Sequence, residues 1–172
     1  MNDELVAIID GQTQILFVNA EDTLNAIGED ELYDTTICDW PLGEQVYHAL
    51  HSLDQWFINP NSYEEPSVAA RKAEAGRLSK TELFNYCRYV RAKIGVYIKK
   101  LDDEMLAERP PGCQFTRLAL ALGQHRHFMY HIGLIHGCLR VHSGGQNPPY
   151  TGLGPSIKPV TKKLTGGPPC QR

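Results

Sequence analysis

Residues 114–142 read QFTRLALALGQHRHFMYHIGLIHGCLRVH, with a proline-glycine break, Arg109-Pro110-Pro111-Gly112, just before them. The run is long, free of internal proline and rich in leucine, so it is read as a helix from about Gln114 to His142. At about 100° per residue, Leu118, Leu122, His125, Met129, Ile132 and Leu139 share one side. Leu120, His127, His131, Leu134, Cys138 and Val141 lie nearly opposite. A helix that is apolar on two sides has two packing partners. Either it lies centrally in a helical bundle, or one stripe packs within the chain and the other against a second subunit.

Working outward, Ser79-Lys80-Thr81-Glu82 has the form of a capping box and opens a helix that continues through Leu83, Cys87, Val90, Ile94, Tyr97, Leu101 and Met105. Before it, residues 59–78 are polar and lack periodicity. A connection of that length in a helical bundle marks a crossover or a loop over a site. Upstream, Leu42, Val46, Leu50, Leu53 and Phe57 recur at spacings of three and four and end before Asn59-Pro60, with Asp39 as expected N-cap and Pro41 in the first turn. A first helix runs from about Asp3 to Ile27, where Gly28 stops it, and Gly11 is a place for it to bend. After Ser143 proline and glycine dominate and periodicity disappears. Tyr150, Leu153, Ile157 and Val160 are expected to anchor that segment as an extended strap, and its last residues to lack regular structure. The reading is all-α: a four-helix bundle domain over residues 1–142 and an irregular tail over 143–172.

Composition narrows the functional classes. Of 172 residues 42% are hydrophobic and 22% charged, with a formal charge of -3. That supplies no cationic field for a polyanion, so nucleic acid is not an expected partner. No apolar run approaches the roughly 20 residues that cross a bilayer. The amino terminus carries Asp3 and Glu4 where a secretion signal has Lys or Arg, so a cytoplasmic protein is expected. The five cysteines are odd in number and scattered, with no C-x-x-C pair. Neither a disulfide framework nor a zinc ribbon is expected, which suits a reducing compartment.

The seven histidines, in contrast, cluster: His48 and His51 in one helix, and His125, His127, His131, His136 and His142 in the last. His127 and His131 are four apart, so their imidazoles leave one helix face at about 5 to 6 Å between Cβ atoms. Two ligands of one metal have that separation. Such a pair is also common as surface decoration or as satisfied core histidines. Here it sits among Leu120, Leu134, Cys138 and Val141, where an unpartnered buried polar group costs about 1 to 3 kcal/mol. A third ligand has to come from another helix, and His48 and His51 are the candidates between which the helical wheel does not choose. Three neutral imidazoles leave an open position, as in catalytic rather than structural zinc sites. No H-E-x-x-H pattern supplies a glutamate base, and the Glu-x-x-His pairs of a ferritin-like oxidase are missing.

These residues resemble the DinB-like superfamily of metalloproteins. The family's H-x-L motif and aromatic helix end match Tyr47-His48-Ala49-Leu50 through Asp54-Gln55-Trp56-Phe57. Its H-x-x-x-H-x-G-x-[IL] motif matches His127 to Ile135, and the order of segments agrees over about residues 5–142. The resemblance implies a bundle of up-down-down-up topology, one zinc or nickel ion on His48, His127 and His131, and a homodimer. It leaves His51 beside the ligands rather than among them. Tyr47, Asp54, Trp56 and Tyr130 become pocket candidates, although aromatic residues in such helices commonly belong to the core. The activity implied is transfer of a small thiol, or a related hydrolysis or isomerisation. The alternative is a homodimeric module that binds metal or a small molecule without turnover.

Overall fold

Glu4–Ala26 forms α1 in the computed structural model, which describes residues 3–152. The helix has no side-chain cap of its own. Instead the Asp103 carboxylate accepts from the amides of Leu5 at 3.1 Å and Val6 at 2.9 Å, placing a negative charge on the positive end of the helix. Asp103 belongs to a short helix, α5, Asp103–Ala107, itself capped by Asp102. The helix opened at Ser79 therefore does not continue to Met105. It is α4, Lys80–Ile98, with the expected reciprocal Ser79–Glu82 capping box, and the two aspartates after it are committed to two other helix starts.

The second helix, α2, spans Leu42–Trp56. Pro41 takes its cap position with extended backbone, and Asp39 stays outside in the preceding loop, contrary to the expected cap. The connection over residues 59–78 is not structureless. It holds a 3-10 turn, Pro60–Ser62, and a helix, α3, Ser67–Ala75, which Gly76 ends in the left-handed region at φ 74°. Lys72 of α3 pairs with Glu44 of α2 and Arg71 with Glu82 of α4, so this crossover is fastened to both helices. The last helix, α6, runs Arg117–His142, with Thr116 accepting from the amide of Ala119 as its cap.

Among the described residues there is helix and no strand, as expected. The four long helices close a ring of contacts: α1 packs on α4 and α6, and α2 packs on the same two. Their inner faces supply the core, including Phe17, Leu24, Leu50, Leu53, Leu83, Val90, Ile94 and Phe128. Helix α6 thus has two partners inside the chain. His125 and His136 face α1, whereas Leu120 and His131 are buried on the other flank. What remains uncovered is a third face, with Leu122, Tyr130, Leu134 and Val141 exposed. No helix among the described residues is long and apolar enough to cross a membrane.

Two features of the loop between α1 and α2 position the site. Its first half lies tightly on α2: a Cβ on Gly43 would come within 2.8 Å of the Tyr33 ring, and the Gly43 amide donates to the Leu32 carbonyl at 2.7 Å. Its second half is joined to α6 by a disulfide between Cys38 and Cys138, with Cα atoms 5.8 Å apart and a sequence separation of 100. The cysteine pattern, from which no disulfide framework is expected, carries no sign of this bond: the pairing is made by packing of the loop on α6, not by local spacing. Cys87 and Cys113 are free. At the carboxyl end, the Asn19 side chain donates to the Thr151 carbonyl at 2.9 Å and accepts from its amide at 2.7 Å. The segment is tied down at Thr151 and not at the expected anchor Tyr150, whose side chain is exposed. Leu153, Ile157 and Val160 lie outside the described residues.

Candidate metal centre

The face of α2 turned toward α6 carries His48, and α6 answers with His127 and His131. One ring nitrogen from each of the three lies within 4.8 Å of the others, close enough to hold one metal ion. The rings meet edge to face, with centroids 4.6 Å apart for His127 and His131 and 4.8 Å for His48 and His131. The Nε2 atoms of His127 and His131 are 3.1 Å apart. Two nitrogens bound tetrahedrally at about 2.0 to 2.1 Å from one zinc stand about 3.3 Å apart. The observed separation is close to that value.

The protonation chemistry agrees. Burial first, and the neighbouring His127 and His48 second, push His131 down to about 4. Burial and His48 lower His127 as well. Both rings are neutral at pH 7 and have lone pairs available. With neither ring charged, the short Nε2 contact holds a single proton, and the Nδ1 atoms of both residues are buried without a hydrogen-bond partner. Ligating histidines usually donate their second N–H to an acceptor that fixes the ring. Here packing orients the rings instead. Trp40 stands edge-on to His48 and to His131, 5.4 Å from each, and Tyr130 lies 5.3 Å from His131. The donor set fits a borderline cation such as zinc or nickel, and includes no carboxylate.

The other candidate residues fall into separate groups. His51 turns toward α4, where its Nδ1 lies 3.3 Å from the hydroxyls of both Tyr86 and Tyr63. Tyr47 stacks on His51 and on Tyr86. Asp54 is buried below them, accepting from Lys93 at 2.5 Å and from Tyr86 at 3.1 Å. His51, Tyr47, Asp54 and Tyr86 make a polar and aromatic cluster between α2 and α4, on the flank of α2 away from α6. Trp56 borders a different cavity of about 260 Å³ with Pro60, Asn61 and Phe115. Of the pocket candidates Tyr130 alone is placed against a ring of the histidine cluster. Trp40 joins it there without having been singled out from sequence. Its Trp-Pro position marked it as the start of a helix, and only the fold of the loop shows where the indole lies.

The remaining histidines are accounted for. Thr13 gives its one proton to the Ile9 carbonyl at 2.7 Å, so at 2.9 Å the Nε2 of His125 donates to Thr13. His136 contacts Thr23 at the same distance, and His142 stands 3.3 Å from Glu31. Compared with protein-family models, with curated proteins and with solved structures, the chain matches none, and the site's own chemistry has to carry the functional reading.

Proposed function

We propose that this chain is a divalent-metal protein of DinB-like type, a four-helix bundle of up-down-down-up topology whose three-histidine centre serves transfer of a small thiol or a related hydrolysis or isomerisation. The observation that carries the reading is the convergence of His48, His127 and His131 from two helices. The ring of contacts among α1, α2, α4 and α6 supports the bundle, and the matched motifs support the family. A zinc or nickel ion held there would lower the pKa of a thiol or water in its open position and so present a nucleophile at neutral pH. The residues determine the rest. Burial keeps His131 and His127 neutral, so their lone pairs need no deprotonation near pH 7. Because the donor set contains no carboxylate, an anionic fourth partner such as a thiolate is favoured. Trp40 and Tyr130 flank the cluster with aromatic surface that suits an apolar electrophile.

The test starts with metal analysis of the purified chain, where about one ion per chain is expected. Thiol transfer to an electrophile such as monochlorobimane should then be lost in His127→Ala. A protein that takes up no metal, and whose melting point ignores chelator, refutes the reading. The exposed face of α6, with Tyr130 63% and Val141 83% accessible, favours a second reading as a homodimeric binding module without turnover. Metal uptake with a dimer on size-exclusion chromatography, and no turnover across thiol and ester substrates, is the result that would select it.

A further inference from the structure

The loop between α1 and α2 is held unevenly. Its first half is anchored by buried Leu32 and by Tyr33, whose hydroxyl donates to the Leu78 carbonyl at 2.6 Å and accepts from the Leu78 amide at 2.8 Å. In the second half Thr35, Thr36, Asp39 and Trp40 are exposed, and Asp34 bonds only within the loop, to Thr36. This half is held by Gln45, which donates to the Trp40 carbonyl at 2.7 Å and to the Cys38 sulfur at 3.3 Å, by Ile37 packed against the core, and by the bond between Cys38 and Cys138. Of these, the bond to Cys138 is the covalent one, and it reaches α6. Trp40, two residues beyond Cys38, forms a wall against His48 of α2 and His131 of α6. The cross-link therefore ties the segment leading into α2 to the helix that supplies the other two histidines.

Both cysteines of the pair are partly exposed and have exposed neighbours, Asp39 beside one and Gly137 beside the other. Attack by a small thiolate needs that access. Cys87 differs: it is buried in the core, and burial pushes its thiol up to about 12. We propose that Cys38–Cys138 is a reversible thiol–disulfide exchange site for low-molecular-weight thiols, and that its state sets how closely the Trp40 segment covers the histidine centre. A thiolate attacks one sulfur, the S–S bond breaks, and a mixed disulfide forms while the other cysteine leaves as a thiolate and takes a proton. A second thiolate attacks the small thiol's sulfur in that mixed disulfide, a low-molecular-weight disulfide forms, and the protein cysteine leaves as a thiolate and takes a proton. The chain gains two electrons and two protons, and two thiols become one disulfide. Exchange with a low-molecular-weight disulfide runs the same steps in reverse. The consequence for the centre rests on the metal reading above, whereas the movement of Trp40 does not.

The full chain carrying Trp56→Phe, which leaves Trp40 as the one tryptophan, is equilibrated with glutathione disulfide or with reduced glutathione. Acrylamide quenching reports cover over Trp40, and alkylation followed by mass analysis reports the thiols. Reduction is expected to free Cys38 and Cys138 together, to raise the quenching constant about twofold, and to speed zinc loss to a chelator about tenfold, as a shift toward an open segment requires. Cys38→Ser should behave as the reduced protein in either buffer. The reduced wild-type chain carries the same test if that variant does not fold. Free thiols at both positions after oxidation would overturn the proposal, as would equal quenching in the two states. A chain that binds no zinc in either state refutes the metal reading, and the quenching comparison still decides this one.

Discussion

Replacing His131 with leucine distinguishes a ligand from a packed core histidine by the sign of a stability change. His131 is 4% exposed, its Nδ1 has no partner, and its Nε2 touches only the Nε2 of His127 at 3.1 Å. In chelator, leucine removes one unsatisfied buried polar atom, a relief of about 1 to 3 kcal/mol, and forfeits one hydrogen bond of about 0.5 to 1.5 kcal/mol. His127 is partly exposed and regains water. His131→Leu is therefore expected to range from about 0.5 kcal/mol less stable to about 2.5 kcal/mol more stable than the wild type without metal. With free zinc at about 100 times its dissociation constant, the wild type gains about 2.7 kcal/mol and the variant gains nothing. In zinc the wild type is then the more stable of the two across that whole range. For a chain of this size each kcal/mol moves the midpoint by about 2 to 4 °C, well within reach of paired thermal melts in chelator and in zinc. A variant markedly less stable in chelator, together with a wild-type midpoint that ignores zinc, would show His131 to be a core residue and remove the basis for the metal centre.

Three further outcomes are expected. Cys38→Ser in the oxidised protein should lower stability by up to about 4.7 kcal/mol, the chain-entropy value for a loop closed across the pair's sequence separation of 100, and an unchanged urea midpoint would contradict the bond. Without metal, stability should fall as pH drops from about 6.5 toward 4: His125, His127, His131 and His136 are all held below the ordinary imidazole range, so the unfolded chain takes up more protons in that window. Unfolding midpoints that stay level across it would count against buried neutral rings. Asp54→Asn should cost about 1.5 to 3 kcal/mol, the worth of a hydrogen bond to a charged group, because the buried carboxylate bridges Lys93 and Tyr86. Adding Lys93→Met should recover part of that loss in a double-mutant cycle, and strict additivity would show that solvent screens the pair.

What could be read from sequence followed from periodicity and local chemistry. The capping box at Ser79 and the leucine pattern of α2 are decided within a few residues, so helix and cap were recoverable from the sequence alone. The course of the loop after α1 is not local. Neither the approach of Cys38 to Cys138 nor the seat of Trp40 leaves a mark in spacing, because both depend on Tyr33 seating against Gly43 and bringing the loop across α2. The choice between His48 and His51 shows where the limit lies. Three residues apart, they differ by about 60° on the helix, and hydropathy cannot rank them because both lie on the polar side of α2. The difference becomes decisive only when α2 has α6 on one flank and α4 on the other. His48 then meets two imidazoles, while His51 meets the hydroxyls of Tyr86 and Tyr63, which can satisfy a neutral ring without any ion. His131 in turn meets another imidazole on one nitrogen and nothing on the other. Hydrogen-bond satisfaction therefore separates the two sets of rings: His51, His125 and His136 have hydroxyl partners, and the residues left wanting one are those that converge with His48.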